Sequence, residues 1–507
     1  MYKHATRLAV AIAAASMFST GVQASGYKIN EQAAKASGRA FAGSAAIADD
    51  ASVVFFNPAG MSRLDRSQMS FGFTYLSLEG ELKDGVRTDA AGVPSNMPAS
   101  ATYPYGEAGV YNDGGNYMKD QVIPFGYFVH KLDDKAAVGF GIFAPFGTET
   151  DYKQGSVVSG FADRTKLLTV DFQPTFSYQL TDNFSFGVGI DMVYAYGLLS
   201  KELDTVPLAA AYSAAQGGQA INPADYSGYE NEFEVSGNDT GYGWNFGFMW
   251  DLSPETTFGF AYRSEVDFEL EGDAKFKQSN GVMAYSADNN IIVPADTDAL
   301  MTGLLGGGVT PYNNKGELAT GHVGRQNARV PLTTPRSATF SLAHQYSDAL
   351  RLTAGATWTD WSVFKYFDVI SMEDGVIDDI AGIGESYIGH IVEDWQDTWS
   401  YAIGADYVLN PEWTVRAGYA FDEAPVKDSH RTARVPDGDR NWLTVGATYE
   451  MSQAWSFDAS LAYLIMNEVK VNEYDHDLED EVDGQSNLKG KFDNSALGIS
   501  FQANYRM

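Results

Sequence analysis

Apolar residues alternate with small or polar ones along much of this chain. Phe184, Phe186, Val188, Ile190, Met192, Tyr194, Tyr196 and Leu198 share one parity, while Ser185, Gly187, Gly189, Asp191, Val193 and Ala195 share the other. Tyr242, Trp244, Phe246, Phe248, Trp250 and Leu252 repeat the pattern, as do Phe258, Phe260, Tyr262, Ser264, Val266, Phe268 and Leu270. A period of two sends successive side chains to opposite faces of a β-strand. Counting such segments predicts about fourteen strands, centred near residues 72, 126, 140, 173, 190, 246, 263, 341, 355, 403, 417, 446, 461 and 501.

The connections fall into two kinds. Short polar turns are expected at 181–183, 253–256, 347–349, 410–412 and 452–454, whereas long polar stretches fill roughly 200–240, 271–334, 365–396, 423–440 and 470–493. Short turns at one end and long loops at the other are the layout of an outer-membrane β-barrel. Closure supplies the reason: in lipid every backbone polar group must be paired within the sheet, and only a closed barrel achieves that with strands. In the long stretches, 203–222 is rich in helix formers. Ile377, Ile380, Ile383, Tyr387, Ile388, Ile391 and Val392 are spaced three or four apart, which predicts an amphipathic helix over 376–395. Such apolar loop faces either form a groove that collects greasy ligands or pack on one another.

Residues 1–24 read as an export signal. Lys3, His4 and Arg7 make a basic head, Leu8 to Phe18 a short apolar run, and Val22-Gln23-Ala24 a cleavage site. No later run reaches the roughly 18–20 apolar residues of a membrane helix. The net charge of −32 argues against nucleic-acid binding, which needs clustered Lys and Arg. The chain has no cysteine, which excludes disulfides and thiolate metal sites.

Catalytic arrangements are thin. There is no G-x-S-x-G or H-E-x-x-H, and the seven histidines are not spaced as a ligand cluster. The acidic run 473–481 lacks the glycine of a calcium loop and reads as a solvated face. We therefore expect no enzyme activity, cofactor or metal.

One segment serves no strand. Residues 25–61 are rich in Ala, Gly and Ser and contain Gly38-Arg39-Ala40, then Ile47-Ala48-Asp49-Asp50-Ala51, then Asn57-Pro58-Ala59. Together with Trp361-Ser362, with Phe421-Asp422-Glu423-Ala424-Pro425 and with Val435-Pro436-Asp437-Gly438, this resembles the FadL family of outer-membrane transporters of long-chain fatty acids and other hydrophobic compounds. The resemblance implies an all-β fold: a transmembrane antiparallel barrel of about fourteen strands plugged by an N-terminal hatch. The expected division is signal peptide 1–24, hatch 25–66 and barrel 67–507. A plug has a physical rationale, because side chains fill a barrel only up to about eight strands.

The resemblance also implies a mechanism. Tyr27 matches an aromatic position at the ligand pocket, and Asn57, Pro58 and Ala59 form a hatch turn tied to transport. The ligand is expected to leave sideways at a kink in the third strand, here Gly141, Ala144, Pro145, Phe146 and Gly147, because proline cannot donate to a ladder and glycine weakens one. Fatty-acid members place basic residues in the pocket. The matching places here hold Tyr196 and Asp368, with Lys365 and Lys201 nearby as candidate carboxylate partners. Uptake of neutral aromatic or alkane hydrocarbons therefore stands as the alternative to fatty acids. The expected partners are a hydrophobic small molecule, outer-membrane lipid and lipopolysaccharide, with no nucleic acid. The chain is expected to act as a monomer in the outer membrane of a Gram-negative bacterium.

Overall fold

The computed structural model describes residues 26–88, 113–153, 156–204, 230–278, 282–286, 291–295, 322–372, 387–474 and 487–507. The expected signal peptide, the helix-forming stretch beyond residue 204 and most of the acidic run lie outside these residues.

Among the described residues, fourteen antiparallel strands close into a barrel. They are β1 (Gln68–Thr88), β2 (Gln121–Lys131), β3 (Ala136–Phe143), β4 (Arg164–Thr181), β5 (Phe184–Asp204), β6 (Glu230–Ser253) and β7 (Thr256–Arg263). The second half comprises β8 (Ser337–Gln345), β9 (Leu350–Thr359), β10 (Thr398–Asn410), β11 (Trp413–Asp422), β12 (Arg440–Glu450), β13 (Trp455–Met466) and β14 (Asn487–Arg506). Each strand pairs with the next. β14 returns to β1, from Gln68↔Arg506 to Thr88↔Asn487, and this closes the ring.

The alternation sorts the two faces. Ile190, Trp244, Ile403 and Leu443 are more than half exposed on the outer surface, where lipid would cover them. Ser70, Thr74, Asp171, Ser177, Asp406, Arg416, Asp458 and Asn504 are buried in the interior. Polar and charged side chains are tolerable there because the lumen spares them contact with hydrocarbon.

Three expectations change. The segment 258–270 is not one strand: β7 ends at Arg263, and a new strand, Val266–Gln278, pairs with His322–Thr334. Ser264 sits in the break, where its amide donates to the Trp244 carbonyl and its hydroxyl accepts from the Trp244 amide, both at 2.9 Å. The loop expected at 200–240 is shorter, because β5 and β6 stay paired out to Asp204↔Glu230. The helix expected over 376–395 does not form in its described part: Tyr387–Val392 is a strand paired with Tyr366–Ser371. There Ile388 and His390 are buried on one face, so the period of two prevails over the helical spacing.

Because Ile403 is 62% exposed at the middle of β10, Ile403→Arg should destabilise the barrel by about 2–4 kcal/mol in bilayers. Denaturant unfolding in lipid vesicles measures this. A change near zero would mean that this face does not meet hydrocarbon.

Candidate functional site

The N-terminal segment 26–67 contains only fragments of helix: α1 (Ala34–Ser37), α2 (Val53–Phe56) and a 3-10 turn at Pro58–Arg63. Pieces this short do not hold themselves, and the barrel holds them. Ala34 N donates to Gln502 Oε1 of β14 (3.0 Å), Ala45 N to Ser341 Oγ of β8 (3.2 Å) and Ala51 N to Ser70 Oγ of β1 (3.2 Å). Arg39 pairs with Asp406 of β10 at 3.1 Å, Asp49 with Arg351 of β9 at 2.6 Å, and Arg63 with Asp251 of β6 at 2.8 Å. Partners on β1, β6, β8, β9, β10 and β14 lie around the whole ring, so the segment crosses the lumen. The wall admits it closely: a Cβ on Gly259 would stand 1.9 Å from the Ala45 carbonyl oxygen, and one on Gly418 would stand 2.2 Å from the Arg39 carbonyl carbon.

Asn57 is the knot of this segment. Its side-chain amide donates to Ala45 O (2.6 Å) and to Phe248 O of β6 (3.1 Å), and its side-chain oxygen accepts from Ala59 N (3.1 Å). Pro58 starts the 3-10 turn, where its missing N–H costs nothing. Ala59 is fully buried.

Tyr27 lies among rings. Its ring centroid is 4.6 Å from Trp361, 5.5 Å from Phe364, 5.6 Å from Trp395 and 6.0 Å from Phe146. Gly26, at φ +63°, permits the turn before it, where a Cβ would strike Trp395 at 2.6 Å. Beside Tyr27 is an apolar pocket of about 30 Å³ whose lining includes Leu167, Leu198, Val235, Leu270, Leu332 and Phe367. Glu393 braces this aromatic group. It is fully buried and accepts from Trp395 Nε1 and Thr432 Oγ1, both at 2.9 Å. Burial, chiefly, pushes its carboxyl up to about 8, and nearby Glu473 adds to the shift while Arg434 opposes it.

The third strand breaks where the sequence places proline. β3 stops at Phe143, opposite Asp171, and pairing with β4 resumes at Gly147↔Leu168. On the other side, β2 pairs with β3 only from Gly126↔Ile142, so Gln121–Phe125 have no β3 partner. Ala144, Pro145 and Phe146 form the break, Gly147 opens the next segment, and Gly141 lies inside β3 before it.

The N-terminal backbone fills this break. Lys28 bridges Phe146, Ile29 N donates to Pro145 O (2.9 Å), and Gly147 N donates to Tyr27 O (2.8 Å). Gln32 spans it: its side chain donates to Ala144 O at 2.5 Å, and its carbonyl accepts from the Tyr127 hydroxyl of β2 at 3.0 Å.

Below this partition is a second cavity of about 110 Å³, lined by Lys28, Phe55, Phe56, Pro58, Pro145, Phe146, Arg263 and hydroxyl-bearing residues of β8 and β9. Lys201 and Lys365 line neither cavity. The 3-10 turn Trp361–Val363 carries Phe364 inward and leaves Lys365 exposed, and Lys201 lies opposite Phe233 near the far end of β5. Lys166 lines the apolar pocket instead, 3.5 Å from Glu149. Asp368 meets His390 at 2.6 Å. The sequence reading missed Lys28, Lys166, Arg263 and the ring partners Phe364 and Trp395. Alternation beside Tyr27 held a signal for Lys28, since neighbours on extended chain face opposite sides.

A closed barrel with an apolar outer face, a lumen crossed by its own N-terminal segment and an apolar pocket at the break in its wall defines an outer-membrane transport protein. The family model described as "Outer membrane protein transport protein (OMPP1/FadL/TodX)" matches residues 15–507, and the chain belongs to this family. It is 27% identical over 489 residues to a long-chain fatty acid transport protein of Escherichia coli (strain K12), covering 94% of this chain and 95% of that one. It is 28% identical over 454 residues to outer membrane protein P1 of Haemophilus influenzae, covering 88% and 86%. Among solved structures, a Pseudomonas aeruginosa FadL homologue superposes with a TM-score of 0.74 at 26% identity, covering 95% of this chain and 99% of that one. The P. putida toluene transporter TodX, at TM-score 0.60 and 18% identity over 96% and 99%, shares the fold. The protein is an outer-membrane protein of a Gram-negative bacterium.

The raised Glu393 carboxyl predicts a pH effect. A carboxyl raised by folding stabilises the fold fully below its ordinary range near 4.5, and that contribution is lost as pH rises through about 8. Protection from hydrogen exchange at 361–364 and 393–395, relative to the base-catalysed intrinsic rate at each pH, should therefore be lower at pH 9 than at pH 5, and Glu393→Gln should flatten the difference. Equal protection at both pH values in the unaltered protein would contradict the assignment.

Proposed function

We propose that this protein carries long-chain fatty acids across the outer membrane. The ligand binds in the apolar pocket beside Tyr27, displaces residues 26–33 and leaves sideways through the break at Ala144–Phe146. In this reading residues 1–24 are the leader, 25–66 the hatch and 67–507 the barrel. The protein acts as a monomer, without catalysis or cofactor.

The observation that carries the reading is the backbone pairing of Tyr27 and Ile29 with Pro145 and Gly147. One short segment both lines the pocket and completes the wall, so a ligand that displaces it opens the exit. The energetics require such a moving part. Burying a methylene is worth about 0.8 kcal/mol, so a sixteen-carbon chain gains roughly 10 kcal/mol in an apolar site and would not leave a rigid one. The E. coli relative is named for long-chain fatty acid transport, which supports this substrate class.

A second reading, import of neutral aromatic or alkane hydrocarbons, draws on one observation. The apolar pocket offers no spare cation, because its Lys166 is tied to Glu149, which Arg164 also contacts at 2.5 Å.

Uptake of labelled oleate and labelled toluene by cells with and without the protein separates the two. Protein-dependent oleate uptake is expected. Oleate uptake that is equal in both cell types, alongside protein-dependent toluene uptake, would replace the first reading with the second.

A further inference from the structure

The cavity below the partition holds a cation without a partner. Lys28 is half-buried and lines this cavity, while its neighbour Tyr27 lines the pocket on the other side of the same stretch of backbone. No carboxylate of the described residues comes within ion-pairing distance of its ammonium. The other charged groups lining the cavity are already engaged. Arg263 pairs with Asp171 at 3.1 Å and Asp191 at 2.5 Å, and it donates to Gln173 Oε1 at 2.8 Å. Asp422 lies 3.8 Å from Arg440, which also pairs with Asp437. Burial, chiefly, lowers the Lys28 ammonium to about 8, with Asp422 opposing the shift and Arg263 adding to it. A desolvated ammonium of this kind gains from an arriving anion.

The rest of the lining suits an amphiphile. Phe41, Phe55, Phe56 and Phe146 give it an apolar side, and Thr339 and Thr357 give it a hydroxyl side. Pro145 and Phe146 belong both to this lining and to the break in the wall. At about 110 Å³ the space is somewhat smaller than the roughly 150 Å³ cavity that holds benzene, so it takes a head group and a few carbons but not a long chain.

We propose that Lys28 holds the carboxylate of a fatty acid in this lumen cavity, as a transit site between the Tyr27 pocket and the exit at Ala144–Phe146. The inference rests on the fatty-acid reading above. It gives that reading the cation that the apolar pocket lacks. As the ligand shifts the segment that carries Lys28, its head meets the ammonium while the tail trails on the Tyr27 side, where the pocket of about 30 Å³ widens with that shift, and release follows when the tail finds the break.

The test is the ratio of labelled oleate uptake to labelled hexadecane uptake in cells carrying the unaltered protein, Lys28→Met or Lys28→Arg. Losing a charge-assisted contact should lower the ratio at least about tenfold in Lys28→Met. Lys28→Arg should restore most of it, and hexadecane uptake reports that each variant is assembled and open. If the unaltered protein takes up oleate and Lys28→Met keeps its ratio, the transit site is wrong and the fatty-acid reading stands. Equal losses of both substrates in Lys28→Met and Lys28→Arg would make Lys28 a structural part of the partition and also overturn the proposal. If the unaltered protein takes up no oleate, both fall together.

Discussion

A backbone amide or carbonyl facing lipid without a partner costs several kcal/mol, so a membrane strand can stop pairing only where something else supplies the partner. Most junctions in this ring are continuous strand pairings, but the two that flank β3 are not. The β3–β4 pairing lapses after Phe143↔Asp171 and resumes at Gly147↔Leu168, whereas the β2–β3 junction does not resume. Its ladder ends at Gly126↔Ile142, and beyond that point the carbonyls of Ala144 and Pro145 and the amide of Gly147 turn to Gln32, Ile29 and Tyr27, while Phe146 bonds to Thr169 of β4. The wall is complete only while the N-terminal segment is in place.

The fastening of that segment is uneven, and the unevenness decides which part can move. From Ala34 to Arg63 it is held by buried ion pairs. Arg39, Asp49, Arg351, Asp406 and Arg416 form one connected group, with Arg416 2.9 Å from Asp406, and Lys35 lies 3.4 Å from Asp50. Removing one member of such a group strands a charge in a poorly solvated place, which is costly. From Gly26 to Ile29 there is no ion pair among the described residues: the ties include backbone hydrogen bonds, one bond from Gly26 N to Asp437 Oδ2 (2.8 Å) and ring contacts, and only the ring contacts are of a kind that an apolar ligand can replace. The pocket and the break therefore sit at the weakly fastened end, while the lumen stays blocked by the strongly fastened one.

Much of the barrel was legible because a period of two is a direct consequence of strand geometry, and runs such as 184–198 or 242–252 carry it without interruption. The short turns were legible because their polar residues interrupt that period. The break was legible from Pro145, whose missing donor has few places in a ladder. Tertiary pairing hid the rest. Nothing local marks Ser264 as a break, because the alternation continues across it from Tyr262 to Val266. Ile388 and Ile391 fit a helix and a strand equally well until a partner strand is known. The candidate carboxylate partners Lys201 and Lys365 line neither cavity, because proximity in sequence does not say which way a side chain turns. Lys28 was overlooked because its meaning lies in the cavity beneath it, which residues from strands distant in sequence create.

If ligands leave through the break, the backbone pairing of 27–29 with 145–147 must open for each one to pass. Lys28 and Phe146 face each other as a non-hydrogen-bonded antiparallel pair, whose Cα atoms stand about 4.5 Å apart, within reach of a disulfide. The chain has no other cysteine to interfere. In the double variant Lys28→Cys, Phe146→Cys, hydrocarbon and oleate uptake should be lost on oxidation, and reductant should restore hydrocarbon uptake. Unchanged uptake of both substrates with the cross-link formed would show that ligands cross by another route.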